Sequence, residues 1–168
     1  MSELQQVRMN KDRFFATDPH SPLTQAQRSE FKGLSYFPEN PDLRFQVGIE
    51  ESPTQAKVEM MTTTGDTQTY TRHGRITFSV DGQMAVLTVF ANQHGFFLPF
   101  ADSLAGKETY AAGRYLELKL LGKGKFLVDF NVAYNPYCAY NEAWSCPVTP
   151  AENRLKLPIR AGEKIFHR

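Results

Sequence analysis

Apolar and polar positions along the chain change period once, near Gly33. Before it the spacing is helical. Leu4, Val7, Phe14 and Phe15 recur at helical intervals, with Lys11 as the interruption. Ser2 with Gln5, and Thr24 with Gln27, each match a capping box, in which two side chains satisfy backbone N–H groups at a helix start. Pro19 and Pro22 break the chain between the two boxes, and Gly33 is the expected stop of the second helix. After Gly33 the period is two. Leu43, Phe45, Val47 and Ile49 alternate with Arg44, Gln46 and Gly48, as a half-buried strand requires. Gly65-Asp66, Asp81-Gly82 and Gly122-Lys123-Gly124 each sit between strand-like runs and predict hairpins. "GFFLPF" reads as a short strand. "RLKLPIRAGE" reads as a last one, demoted to an edge or bulge by Pro158.

These runs predict a mainly β chain with about eight or nine strands in sequential antiparallel pairs, closed as a barrel or stacked as a sandwich. Two short helices precede them. No helix of crossover length lies between the strands, which argues against a parallel sheet. At 168 residues the chain fits one domain, helical over 1–33 and β over 43–168. A domain of this size needs no disulfide framework to hold its core.

Charge narrows the partners. Nineteen basic residues face eighteen acidic ones, so no nucleic-acid footprint is expected. No apolar run is long enough to span a membrane, and the polar start "MSELQQVRMNKDRFF" lacks the apolar stretch of a secretory signal. A cytoplasmic chain with reduced cysteines is the expectation.

The stretch 129–155 departs from both periods. It carries both cysteines, the single tryptophan, three tyrosines and three prolines. Loops this long without regular structure are functional or disordered in compact domains. Tyr134, Tyr137, Tyr140 and Trp144 are too much apolar mass for disorder, so 132–154 is expected to fold over one end of the strands as a lid.

Within and beside it lie the candidate groups. Arg114 shares a strand face with Leu116, Leu118 and Leu120, so its guanidinium needs acceptors. Asp129 and Asn131 serve if the following hairpin turns through two residues. A three-residue turn instead sets the leucines against Phe126, Val128 and Phe130, and sequence leaves both registers open. Gly106-Lys107 fails as a phosphate loop, because Ala101 and Glu108 stand where a glycine and a hydroxyl are needed. Cys138 and Cys146 have neither redox Cys-x-x-Cys spacing nor paired histidines for zinc, and no base is placed beside them. They read as small buried side chains, close enough to bridge on oxidation. No metal site and no cofactor is indicated.

"GKETYAAGRYLEL", "DFNVAYNPYCAYNEAWSCPVTPAENRL" and "IRAGEK" resemble the signature of an uncharacterised family of bacterial and archaeal proteins. The N-terminal "KDRFF…SPL…R…F.GLSYFP" is similar too, so the likeness covers nearly the whole chain. The resemblance marks Lys107, Glu108, Thr109, Tyr110, Arg114, Asp129, Asn131, Tyr134, Asn135, Cys138, Cys146, Glu152, Asn153 and Arg154 as signature positions and implies no activity.

Three functions compete. The first is binding of a small anionic or polar metabolite at a barrel mouth under the 132–154 loop. Lys107, Arg114 and Arg154 would face the anion and Tyr110 and Tyr134 would donate to it, with Asp129, Asn131, Asn135, Glu152 and Asn153 completing the set. The second is a structural role for the signature, with a homo-oligomer formed through exposed strand edges. The third is a hydrolase or lyase using Glu108, Asp129 or Glu152 as base and Tyr110 or Tyr134 as acid.

Overall fold

The computed structural model describes residues 1–167. Helix α1 spans Glu3–Thr17 and helix α2 Gln25–Glu30. Both capping boxes form. The Ser2 hydroxyl accepts from the Gln5 N–H and the Gln5 amide accepts from the Ser2 N–H, and Thr24 and Gln27 repeat the exchange. The second helix stops at Phe31, before Gly33. Leaving the helix there lets Phe31 pack with Phe15 and Phe166.

Nine strands follow: β1 Arg44–Gly48, β2 Glu50–Glu51, β3 Lys57–Met61, β4 Thr67–Val80, β5 Gln83–Asn92, β6 Gly95–Phe100, β7 Arg114–Glu117, β8 Lys119–Gly122 and β9 Lys125–Asp129. All named ladders are antiparallel. They make two sheets, ordered β2-β4-β5-β6-β7 with β3 also on β4, and β1-β9-β8. The arrangement is a sandwich. Among the described residues no ladder joins β7 to the smaller sheet, so there is no closed barrel and no barrel mouth. The reason lies at Leu118. The chain leaves the larger sheet after Glu117, buries Leu118, and enters the smaller sheet at Lys119.

The core is the space between the sheets. Ile76, Phe78 and Val80 of β4, Leu87 and Val89 of β5, and Phe126 and Val128 of β9 fill it. Phe130 is its aromatic centre, with ring centroids 5.2 Å from Phe78 and 5.1 Å from Phe100. The opposite face of the larger sheet carries a smaller cluster of Met60, Tyr70 and Phe90.

Turn chemistry sets the registers. Val80 pairs with Gln83 around Asp81-Gly82, and Gly122 with Lys125 around Lys123-Gly124. Both residues of each turn have positive φ, as the tight hairpin turn demands. In the second hairpin an irregularity between Leu120 and Gly122 then sets Leu120 opposite Phe126. The turn thus has two residues, yet the bulge restores the leucine-to-phenylalanine pairing of the longer turn. Arg114 pairs with Phe100 of β6 and has no partner in β9.

The run "RLKLPIRAGE" forms no strand. Pro158 removes a donor, and the backbone groups of the run are divided between scattered backbone partners, such as Ala101 for the Leu155 N–H and Ser103 for the Leu157 carbonyl, and side chains. The Ile159 N–H donates to Asp102 at 2.8 Å, and the Ile159 and Ala161 carbonyls accept from Arg114. Among the described residues no helix is long and apolar enough to cross a membrane.

Candidate functional site

The segment after β9 is ordered as a strap. It runs along the free edge of β7, where Tyr134 and Tyr115 exchange backbone hydrogen bonds of 3.1 and 2.8 Å. A 3-10 turn over Tyr137–Ala139 then aims Tyr140 at the N-terminal helices. Tyr140 lies 4.9 Å from Phe15 and 5.1 Å from Phe166, ring to ring. Trp144 packs on Tyr137, and its indole N–H reaches the Pro22 carbonyl at 3.3 Å. The strap next pairs with the end of β3, where the Val148 N–H donates to the Met61 carbonyl at 2.8 Å. Gly113 makes its return possible: φ is +105°, and a Cβ there would sit 2.8 Å from the Phe100 carbonyl and closer still to Thr149.

The strap ends by filling a gap in the larger sheet. The β5–β6 ladder stops at Phe90 opposite Phe97. Two residues beyond, in the same register, Thr88 would face Pro99, which has no N–H to give. Asn153 is inserted there and is fully buried. Its amide oxygen accepts from the Thr88 N–H at 2.8 Å, and its NH2 donates to the Thr88 and Pro99 carbonyls at 2.9 and 2.8 Å. Glu152 accepts from the Thr88 hydroxyl at 2.7 Å and pairs with Arg72 at 2.6 Å. Burial opposes its ionisation, but these partners outweigh burial and hold its pKa below the usual carboxylate value. Arg154 is exposed and reaches the Ala111 carbonyl at 3.3 Å.

Arg114 is 1 % exposed. Its guanidinium donates to the carbonyls of Ile159, Ala161 and Glu163 at 2.9, 2.5 and 3.0 Å and lies over the Phe100 ring. Asp102, 3.8 Å away, supplies the buried counter-charge. Burial lowers the Arg114 pKa to about 10, which leaves it charged at neutral pH. The partnership with Asp129 and Asn131, one of the two alternatives that the sequence left open, does not form, because β7 and β9 lie in different sheets. Asp129 binds Arg44 at 3.0 Å, and Asn131 clasps the backbone of Asn40.

Glu163 escaped the sequence reading, although it lies within "IRAGEK". It is 1 % exposed. One oxygen meets the Lys11 ammonium at 2.8 Å, and the other accepts from the Asn135 N–H at 2.5 Å and the Tyr140 hydroxyl at 2.7 Å. It therefore ties α1, the strap and the C-terminal segment at one point. A single glutamate after a glycine carries no signal of such burial. Asp102 was missed for the same reason; it accepts from the Thr109 hydroxyl and the Ile159 N–H.

The carboxylates and tyrosines considered for acid–base chemistry have other partners. Glu108 pairs with Arg160, Asp129 with Arg44 and Glu152 with Arg72. Tyr134 donates to Glu117, and burial raises its pKa.

Tyr110 is different. It lines a groove of about 630 Å³ with Thr24, Gln27, Cys138, Tyr140, Glu142 and His167, drawn from α2, the 106–111 turn, the strap and the C-terminal segment. Its hydroxyl is 3.5 Å from the Cys138 sulfur. Cys146 stands beside Cys138, its sulfur accepting from the Cys138 N–H at 3.3 Å. Neither cysteine is bridged. The Cys146 side chain, helped by Tyr110 and Thr63, lowers the Cys138 pKa against the pull of burial; Cys146 itself is pushed up, first by Cys138 and then by burial. Lys107 is exposed on the turn beside Gly106, and Arg154 reaches the chain at Ala111.

The ten candidate residues are therefore dispersed. Tyr110 enters the groove, and Lys107 and Arg154 stand near it. Glu152 and Asn153 serve the sheet gap, Arg114 the core rim, Asp129 and Asn131 the β1–β9 corner, Asn135 the Glu163 knot, and Tyr134 the Glu117 contact. Gln27, which the sequence marked only as part of a capping box, and Glu142 and His167 also line the groove.

A family model described as "Protein of unknown function (DUF1684)" matches residues 29–164. The chain is also similar to an uncharacterised protein of Haloarcula marismortui solved by solution NMR. The identity is 37%, the TM-score is 0.72, and the match covers 96% of this chain and 92% of that one. A search of curated proteins finds no significant match.

Proposed function

The chain belongs to the DUF1684 family of proteins of unknown function, and from that premise and its own geometry we propose that it binds a small polar molecule in the Tyr110–Cys138 groove. The carrying observation is the groove itself. Its volume of about 630 Å³ suits a metabolite, and it mixes aromatic walls with a few convergent polar groups. Gln27 and Glu142 offer hydrogen bonds at its sides, and the Tyr110 hydroxyl offers one beside the Cys138 sulfur. An anionic group on the ligand would turn towards Lys107 and Arg154 and away from Glu142, which lines the groove.

Native mass spectrometry of the purified chain, followed by calorimetry with carboxylate and phosphate metabolites, tests this reading. Tyr110→Phe and Lys107→Ala are each expected to weaken a detected ligand by about tenfold, the worth of one hydrogen bond or ion pair of 1.4 kcal/mol. A ligand whose affinity ignores both substitutions, or a groove that takes none of the compounds, refutes it.

The structural reading also has support. Arg114, Asn131, Asn135 and Asn153, all signature positions, each donate a side-chain hydrogen bond to a backbone carbonyl. Both readings hold together if those residues build the frame and the groove does the work.

A further inference from the structure

The groove also gives access to a pair of sulfurs. Cys138 and Cys146 stand at either end of a strap segment whose two ends are pinned. The Cys146 N–H donates to the Thr63 hydroxyl at 3.2 Å, and its carbonyl accepts from the Thr63 N–H at 2.9 Å. Cys138 sits in the Tyr137–Ala139 turn, with its N–H on the Cys146 sulfur at 3.3 Å. This holds the two side chains next to each other without a bond. The two differ in surroundings. Cys138 lines the groove and meets the Tyr110 hydroxyl at 3.5 Å, whereas Cys146, also buried, is not among the residues that line it.

We propose that Cys138 and Cys146 form a dithiol–disulfide couple in which Cys138 is the attacking sulfur, Cys146 the resolving one, and a small hydroperoxide the oxidant. The proposal goes beyond the binding reading and stands without it. At 5 % exposure Cys138 is closed to a bulky disulfide, whose attack needs an in-line approach, but a two-oxygen oxidant fits the groove. Tyr110 is placed to donate to the departing oxygen. Donors around Cys138 favour its thiolate, the reactive form, while Cys146 keeps its proton.

The chemistry balances. The Cys138 thiolate attacks one oxygen of hydrogen peroxide; the S–O bond forms as O–O breaks, leaving a sulfenic acid and hydroxide, which takes up the proton Cys138 had lost. The Cys146 sulfur then attacks the Cys138 sulfur. S–S forms, S–O breaks, and the hydroxyl leaves as water with the Cys146 proton. Two thiols give up two electrons, and one peroxide becomes two waters.

The test uses the reduced full chain and graded hydrogen peroxide at pH 7, with the same chain in urea as reference. In the folded chain Cys138 is expected to react at least about tenfold faster than in the unfolded one, because its thiolate fraction is higher. Peptide mapping without reductant should find a Cys138–Cys146 disulfide. In Cys146→Ser the sulfenic acid should persist on Cys138 and be captured by dimedone. In Cys138→Ser the remaining thiol should react no faster than in urea. A folded wild-type chain whose Cys138 oxidises no faster than in urea, or passes to higher acids without bridging, overturns the proposal, even if a variant fails to fold. No readout uses a groove ligand, so failure here and failure of the binding reading are distinguishable.

Discussion

Removing the Asn153 amide should open the larger sheet where β5 and β6 already part. Three backbone groups, the Thr88 N–H and the Thr88 and Pro99 carbonyls, depend on that one side chain. The site is buried, so water does not replace it in Asn153→Ala without entering the sheet. Each bond contributes about 1 kcal/mol net, and each buried group left unpaired costs about 1–3 kcal/mol. Partial collapse and water entry recover some of this, so about 3–5 kcal/mol is expected, a large share of the roughly 5–15 kcal/mol that holds a domain folded. Urea titration followed by circular dichroism and tryptophan fluorescence measures it. With a slope of about 1–3 kcal/mol per molar urea, the midpoint should fall by at least about 1 M at unchanged slope. Asn153→Asp is the sharper control. It keeps the shape and the acceptor for Thr88 but turns an oxygen on two carbonyls. That buried carboxyl resists ionisation, so its folded pKa rises above the unfolded value and the variant loses stability as pH climbs between the two. A loss below about 1 kcal/mol in Asn153→Ala would refute the view that this amide completes the ladder.

Arg114→Lys retains the charge but cannot span three carbonyls; a cost of about 2–3 kcal/mol should lower Tm by roughly 4–12 °C in a domain of this size, and an unchanged calorimetric Tm would count against it. Glu163→Gln removes the charge facing Lys11, so amide exchange over Glu3–Thr17 should quicken by about tenfold, with β4 and β5 unaffected; uniform protection would show that the knot does not hold α1. Glu152 has a depressed folded pKa, so its contribution is complete above the unfolded value and lost as pH falls through the folded one. The stability gap between wild type and Glu152→Gln should therefore shrink from about pH 6 towards pH 3 in denaturant titrations, and a gap independent of pH would contradict the Arg72 pairing.

What the sequence determined by itself is local. Ser2 with Gln5, Thr24 with Gln27, and the Asp81-Gly82 turn act within four residues, and all three formed as their chemistry requires. The order of the 132–154 strap was legible too, because its tyrosines and tryptophan have to be buried somewhere. The tertiary structure alone decided between sandwich and barrel, since that turned on a single buried crossing at Leu118. It also decided the partners of Arg114 and Asn153. A guanidinium or an amide announces only that it needs acceptors or donors; which backbone supplies them depends on segments more than forty residues away, brought near by the packing of the whole core. The Tyr110–Cys138 groove is of the same kind, assembled from four stretches of chain whose sequences, taken separately, contain no mark of their meeting.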